Sequence, residues 1–206
     1  MSTINPDSVK RICVYCGALP GVSLTYAEGA RALAGEMVKR DIALVYGGGK
    51  VGLMGIIADE VLRLGGDVTG VIPQALLDME VGHHALSRLH VVDTMHERKA
   101  LMAELADGFI AMPGGIGTLE ELFETLTWSQ LGLHNKPIGL FNINGFFDQL
   151  IALLDHLVKS EFLRQHHAAL LMEDKNSATL LQRFSDFTAQ RTDAILPKDA
   201  AAKLLQ

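Results

Sequence analysis

Gly108-Phe109-Ile110-Ala111-Met112-Pro113-Gly114-Gly115-Ile116-Gly117-Thr118-Leu119-Glu120-Glu121 passes from an apolar run, through a glycine turn, into a helical pattern. A short apolar run closed by Pro and Gly reads as a buried strand, Gly108–Met112. The helical spacing then runs from Thr118 to Leu131. Strand, glycine turn and helix in that order form the repeating unit of a parallel α/β sheet, and the unit recurs along the chain. Strands are expected at Arg11–Cys16, Ile42–Tyr46, Asp67–Ile72, Leu89–Val92, Gly108–Met112 and Pro137–Phe141, with a weaker one near Ala168–Met172. Helices are expected over Leu24–Lys39, Gly52–Leu64, Met95–Ala106, Thr118–Leu131, Phe146–Val158 and Ser177–Gln190. Pro73–Arg88 shows no clear period and reads as a loop with a short helix. The alternation predicts a single-domain, doubly wound α/β fold: a mostly parallel sheet with helices on both faces. Residues 1–10 read as an N-terminal extension, 11–190 as the domain and 191–206 as a tail.

At 206 residues the chain is long enough to bury roughly 70% of its unfolded surface, with no need of disulfide or metal staples. Hydrophobic residues at 49% and charged residues at 20% exclude intrinsic disorder. The net charge of −6 argues against a nucleic-acid partner. No apolar stretch reaches 18 residues, so no membrane span is expected. The first residues lack a charged segment followed by an apolar one, so no signal peptide is expected either. Cys13 and Cys16 stand three apart on one expected strand and so point to opposite faces. That suits neither a disulfide nor a shared metal, and both read as buried thiols of a reducing, cytoplasmic compartment. The histidines show no metal spacing, and no metal is expected.

Two glycine clusters each follow a strand and precede a helix: Gly47-Gly48-Gly49-Lys50-Val51-Gly52 and Gly114-Gly115-Ile116-Gly117. Such a turn lets backbone N–H groups approach a ligand without a Cβ in the way. The helix start adds unpaired N–H groups and partial positive charge. Two such turns on one sheet edge predict a pocket holding at least one phosphate; the bland alternative is that both are merely tight turns. Gly47-x-Gly49-x-x-Gly52 matches a dinucleotide fingerprint, but it follows the second strand, and no acidic residue ends the next one. Thr118 to Glu121 is T-x-x-E, which reads either as a capping box or as a carboxylate placed beside bound phosphate. Thr94 to Glu97 is a second T-x-x-E, followed by Arg98 and Lys99. Two cations in a helix's first turn oppose its dipole, so this pair is a candidate for function.

With Met95-His96-Glu97-Arg98-Lys99 upstream, Pro113 to Glu121 reads P-G-G-x-G-T-x-x-E. The chain resembles the Lonely Guy family of cytokinin riboside 5′-monophosphate phosphoribohydrolases, whose members were long mislabelled lysine decarboxylases. Val14-Tyr15-Cys16-Gly17, Tyr46-Gly47-Gly48-Gly49, Val71-Ile72-Pro73, Thr127-Trp128-Ser129-Gln130-Leu131-Gly132 and Lys136-Pro137-Ile138-Gly139-Leu140 resemble family segments, in the family's order. The resemblance implies a Rossmann-like fold and hydrolysis of the bond between an adenine-type base and ribose 5-phosphate. It implies catalysis by Arg98 and Glu121, and substrate contacts at Glu80, Lys99, Gly114, Gly115, Ile116, Gly117, Thr118 and Thr127. It also implies no cofactor, a nucleoside 5′-monophosphate as substrate, and a homodimer with the active site near the interface. AMP as the main substrate, or a non-catalytic nucleotide sensor or carrier on the same fold, are the competing readings.

Overall fold

The structure, a computed structural model, describes residues 9–79 and 82–187. The elements in chain order are β1 (Arg11–Tyr15), α1 (Leu24–Lys39), β2 (Ala43–Tyr46), α2 (Gly52–Arg63), β3 (Val68–Pro73), α3 (Gln74–Asp78) and β4 (Arg88–Val92), then α4 (Met95–Leu105), β5 (Gly108–Ala111), α5 (Ile116–Leu131), β6 (Ile138–Phe141), α6 (Asp148–Lys159), α7 (Gln165–Ala168), β7 (Leu171–Asp174) and α8 (Ser177–Ser185). The strands make one sheet, ordered β4-β3-β2-β1-β5-β6-β7, and every pairing is parallel. No helix of the described residues is long and apolar enough to cross a membrane.

A parallel sheet buries both faces, so its central strands are apolar on both sides. Along β1, Ile12 and Val14 point into one core with α1, α2 and α8, where Leu33, Ile57 and Phe184 pack. Cys13 and Tyr15 point into the other, against Met102 of α4 and Leu122 and Leu126 of α5. Cys16 joins the first core and Cys13 the second. Both thiols are free and buried, and burial holds them well above the usual thiol range.

Six strands lie within one residue of expectation at each end. The seventh is displaced. Gln165–Ala168 is a helical turn, and β7 runs Leu171–Asp174 with every residue half-buried. An edge strand tolerates Glu173 and Asp174, so the apolar run does not mark its limits. Two helices are also corrected. α5 starts at Ile116, not at Thr118. The expected helix from Phe146 begins at Asp148, because a short 3-10 turn over Ile143–Gly145 with Asn144 at φ 53° comes first. The short helix expected within Pro73–Arg88 is α3. The tail and most of the N-terminal extension lie outside the described residues. A third helix is corrected as well: α8 ends at Ser185, where the Asp186 N–H closes onto Gln182 O, short of the expected Gln190.

α5 ends on Gly132 in the left-handed conformation (φ 81°), and Leu133 N–H closes back onto Trp128 O. This sets the half-buried His134 against the ring of Phe109, which is fully buried. His134 Nδ1 accepts the Lys136 N–H, so Nε2 carries the proton and donates to Thr125 O at 3.0 Å. Burial, with help from Lys136, lowers its pKa from 6.5 to about 4. The unfolded chain therefore binds this proton more readily, and the stabilisation present above pH 6.5 is lost as pH falls toward 4. From pH 7 to pH 5 this residue alone should remove about 2 kcal/mol. Urea unfolding of the wild type and His134→Gln at both pH values measures it. The variant should lose correspondingly less, and equal losses would refute the assignment.

Candidate active site

Strand order reverses between β1 and β5: the chain moves outward through β2, β3 and β4 on one side and through β6 and β7 on the other. Loops leaving the carboxyl ends diverge there, which is where open α/β sheets hold ligands. The Gly17 N–H donates to Pro113 O at 3.1 Å, tying the two loops together. A Cβ on Gly114 would strike the Thr118 hydroxyl and Gly17 N, so close approach demands glycine there.

The two glycine turns differ in use. In the turn after β2, the Gly17 carbonyl accepts Leu53 N–H at 2.9 Å and so fills the start of α2. Gly48 O accepts His83 N–H, and a Cβ on Gly47 would collide with the Arg98 guanidinium. That turn is packed against protein. The turn after β5 is open. α5 has Gly115 at its N-cap and no side-chain cap. Among the described residues nothing accepts from the N–H groups of Ile116, Gly117 or Thr118, and Gly115 and Gly117 have free space where a Cβ would stand. A cavity of about 340 Å³, walled by Leu19, Pro20, Tyr26 and Phe146, lies against Gly114 and Gly115. Three unmet N–H groups at the positive end of a 16-residue helix suit an anion.

Glu121 lies one turn into α5, and only 9% of it is exposed. The capping-box reading fails here, since Thr118 is buried inside the helix and is not its N-cap. Instead Glu121 Oε1 accepts from Arg98 Nη1 of α4 at 2.9 Å. Arg98, 8% exposed, also donates from Nε to Val71 O at 3.2 Å and reaches Gly47 O at 3.5 Å. The backbone ends of β2 and β3 thus aim the guanidinium at one carboxylate. The capping box at Thr94 is real: Thr94 Oγ1 accepts Glu97 N–H, and Glu97 reaches back to Asp93 N–H. It fixes the first turn that carries Arg98. Burial raises the Glu121 pKa above its ordinary range; Arg98 opposes this and Glu120 adds to it. A buried ion pair repays little of its desolvation cost, so this pair is weak as a stability device and strong as a sign of chemistry.

Arg98, Glu121 and the Gly114–Thr118 turn thus converge at the sheet's switch point. Lys99 is beside them but bound to Glu120 and Glu124. Thr127 is not with them. It is exposed, its hydroxyl donates to Phe123 O, and six residues of helix turn it away from Glu121. Glu80 lies outside the described residues. The sequence reading missed Tyr15, whose buried hydroxyl meets Thr125 Oγ1 at 2.9 Å and anchors α5 to β1 one turn beyond Glu121. It also missed Gly47 as the space that admits Arg98. Among the described residues no group of three His, Cys, Asp or Glu is placed to hold a metal.

A family model described as "possible lysine decarboxylase" matches residues 54–184. The chain is 44% identical over 186 residues to a cytokinin riboside 5′-monophosphate phosphoribohydrolase of Arabidopsis thaliana, covering 90% of this chain and 87% of that one. It is 46% identical over 178 residues to a probable enzyme of the same name from Oryza sativa subsp. japonica, covering 86% and 80%. The fold is shared with the molybdenum cofactor carrier protein of Chlamydomonas reinhardtii (TM-score 0.63, 18% identity, 84% of this chain and 94% of that one). It is shared too with the molybdenum cofactor binding protein of Rippkaea orientalis (TM-score 0.62, 19% identity, 84% and 94%). These two likenesses concern the fold alone, whereas the plant relatives match in sequence along nearly the whole domain: the chain belongs to the Lonely Guy family.

Proposed function

We propose that this protein hydrolyses the N-glycosidic bond of cytokinin riboside 5′-monophosphates, which are N-substituted adenosine monophosphates, to free base and ribose 5-phosphate. The observation that carries the reading is the buried Arg98–Glu121 pair beside an uncapped, glycine-flanked helix start. The amides of Ile116, Gly117 and Thr118 hold the 5′-phosphate, and Gly114 and Gly115 leave it room. That fixes the ribose, so its C1′ lies near the Glu121 carboxylate. The bond from C1′ to the base nitrogen breaks with its electron pair leaving on the base, and positive charge builds on the sugar. Glu121 stabilises that charge and takes a proton from the attacking water, whose oxygen bonds to C1′; the departing base takes up a proton from solvent and Glu121 returns its own, which leaves free base and ribose 5-phosphate. Arginine is too weak an acid to donate a proton; Arg98 orients Glu121 and keeps it ionised.

The reading includes a homodimer. Thr127 faces away from Glu121 on an exposed helix surface, so a substrate contact there would come from the partner subunit. It also includes a cytoplasmic site of action, which suits two buried free thiols. The family resemblance adds Glu80 as a substrate contact. No cofactor has a part in these steps.

Chromatography after incubation with isopentenyladenosine monophosphate, AMP and the unphosphorylated riboside tests the reading. The prenylated nucleotide should yield free base, and loss of the phosphate should lower kcat/KM about 10²–10³-fold. Turnover of AMP alone would make this an AMP nucleosidase, and tight binding with no base released would make it a carrier. Glu121→Gln keeps the shape and a bond from Arg98, so it should fold normally and lose about 10²–10⁴-fold in kcat. Turnover within threefold of wild type would remove Glu121 from the chemistry. Because only ionised Glu121 works and its pKa is raised, wild-type activity should fall on the acid side at a pH above the ordinary carboxylate range. Arg98→Ala should lose both activity and stability, the latter by about 3–5 kcal/mol in urea unfolding, since it strands a buried carboxylate.

A further inference from the structure

His83 is a buried side chain that the steps above leave unused; 7% of it is exposed. It stands in the loop between α3 and β4 and makes three hydrogen bonds. Its N–H donates to Gly48 O at 2.9 Å. Its Nδ1 accepts the Ala85 N–H at 3.2 Å, so Nε2 carries the proton and donates to Asp59 Oδ1 at 2.9 Å. Beside it, Gly82 bridges Gly49 in antiparallel fashion. Gly48 precedes α2 and Asp59 lies on α2, so one residue holds the glycine turn after β2 from both of its ends. The turn in its place rests on β3, since a Cβ on Gly48 would press on Ile72 and on the Val71 backbone.

These ties begin where those of the sheet stop. The β2–β3 ladder closes at the pair Tyr46–Gly70. The two carbonyls that receive Arg98 belong to the next residue on each side, Gly47 and Val71. Resting on the hydrolase reading above, we infer that His83 is a positioning residue: by clamping the glycine turn to the loop that follows α3, it fixes these two carbonyls relative to each other and so aims Arg98 at Glu121. Misplacing a reacting group by about 1 Å can cost about a hundredfold in rate, so a clamp with no part in the chemistry still governs it. The groups facing Glu121 are Arg98 and Lys99 from α4, Glu120 on its own helix, and Cys13, Tyr15 and Cys16 from β1 and its end. Burial keeps the two thiols and the phenol neutral. Burial also raises the Glu121 pKa and Arg98 opposes it, so an Arg98 that slackens leaves Glu121 harder to ionise.

Steady-state kinetics against pH for His83→Ala, His83→Gln and Asp59→Ala test this. In His83→Ala, kcat should fall about tenfold to a hundredfold, with KM within about threefold of wild type. Its acid limb should move to higher pH. Glutamine keeps a donor within reach of Asp59, so His83→Gln should restore most of the rate. The Asp59 side chain is 71% exposed, so Asp59→Ala opens no core and decides the matter even if His83→Ala fails to fold. It should lower kcat and move the acid limb in the same direction, by less. A histidine that merely holds the fold together would give a lower melting temperature with kcat and the acid limb unchanged, and that result overturns the proposal. So does a loss confined to KM. If the wild type releases no base from any nucleotide, the hydrolase reading fails, and a titration still decides the coupling. The Glu121 carboxyl carbon is followed by carbon-13 NMR and assigned by its loss in Glu121→Gln. A higher midpoint in Asp59→Ala upholds the coupling, and an unchanged midpoint overturns it.

Discussion

A charged bond between two helices, Arg98 to Glu121, organises the upper edge of the sheet. It exists because several unrelated elements agree. The capping box at Thr94 fixes the first turn of α4. The carbonyls of Val71 and Gly47, at the ends of β3 and β2, aim the guanidinium. Gly47 lacks the Cβ that would displace it. On the other side, the Tyr15–Thr125 bond pins α5 to β1 one turn beyond Glu121. The pair costs desolvation and returns little stability, which is the usual economy of a reactive site held on a rigid frame.

Next to that pair lies a second feature that no packing requirement explains. α5 begins with no side chain across its first N–H groups, whereas the start of α2, also preceded by glycines, is filled by the Gly17 carbonyl. The contrast separates a turn packed against protein from a turn left open. In an acidic protein of net charge −6, these backbone amides stand unmet beside two cations, Arg98 and Lys99, that already face carboxylates.

Much of the fold was legible because a parallel sheet buries its strands on both faces and punctuates them with glycine. Six strands and α1 follow from that rule. β7 does not, because an edge strand with Glu173 and Asp174 has no such constraint. The start of α5 was misread because T-x-x-E at 118–121 mimics a capping box; Gly115 takes the cap position, which leaves Thr118 inside the helix. In the site, Arg98 was readable as a cation against the dipole of a helix start, and Glu121 as a carboxylate beside the glycine turn. Their bond was not, since it joins residues 23 apart across two helices. The roles of Gly47 and Tyr15 were equally hidden, because a glycine that makes room and a tyrosine that anchors leave no local pattern. Lys99 stands beside Arg98 in the motif, and its bonds to Glu120 and Glu124 on the facing helix were hidden for the same reason.

A crystal structure of the Glu121→Gln protein soaked with a nucleoside 5′-monophosphate tests the arrangement most directly. The phosphate should accept hydrogen bonds from the N–H groups of Ile116, Gly117 and Thr118, with the sugar's C1′ beside position 121. A phosphate seated instead on Lys99 or at Gly47–Gly49, with the sugar turned away from position 121, would contradict it.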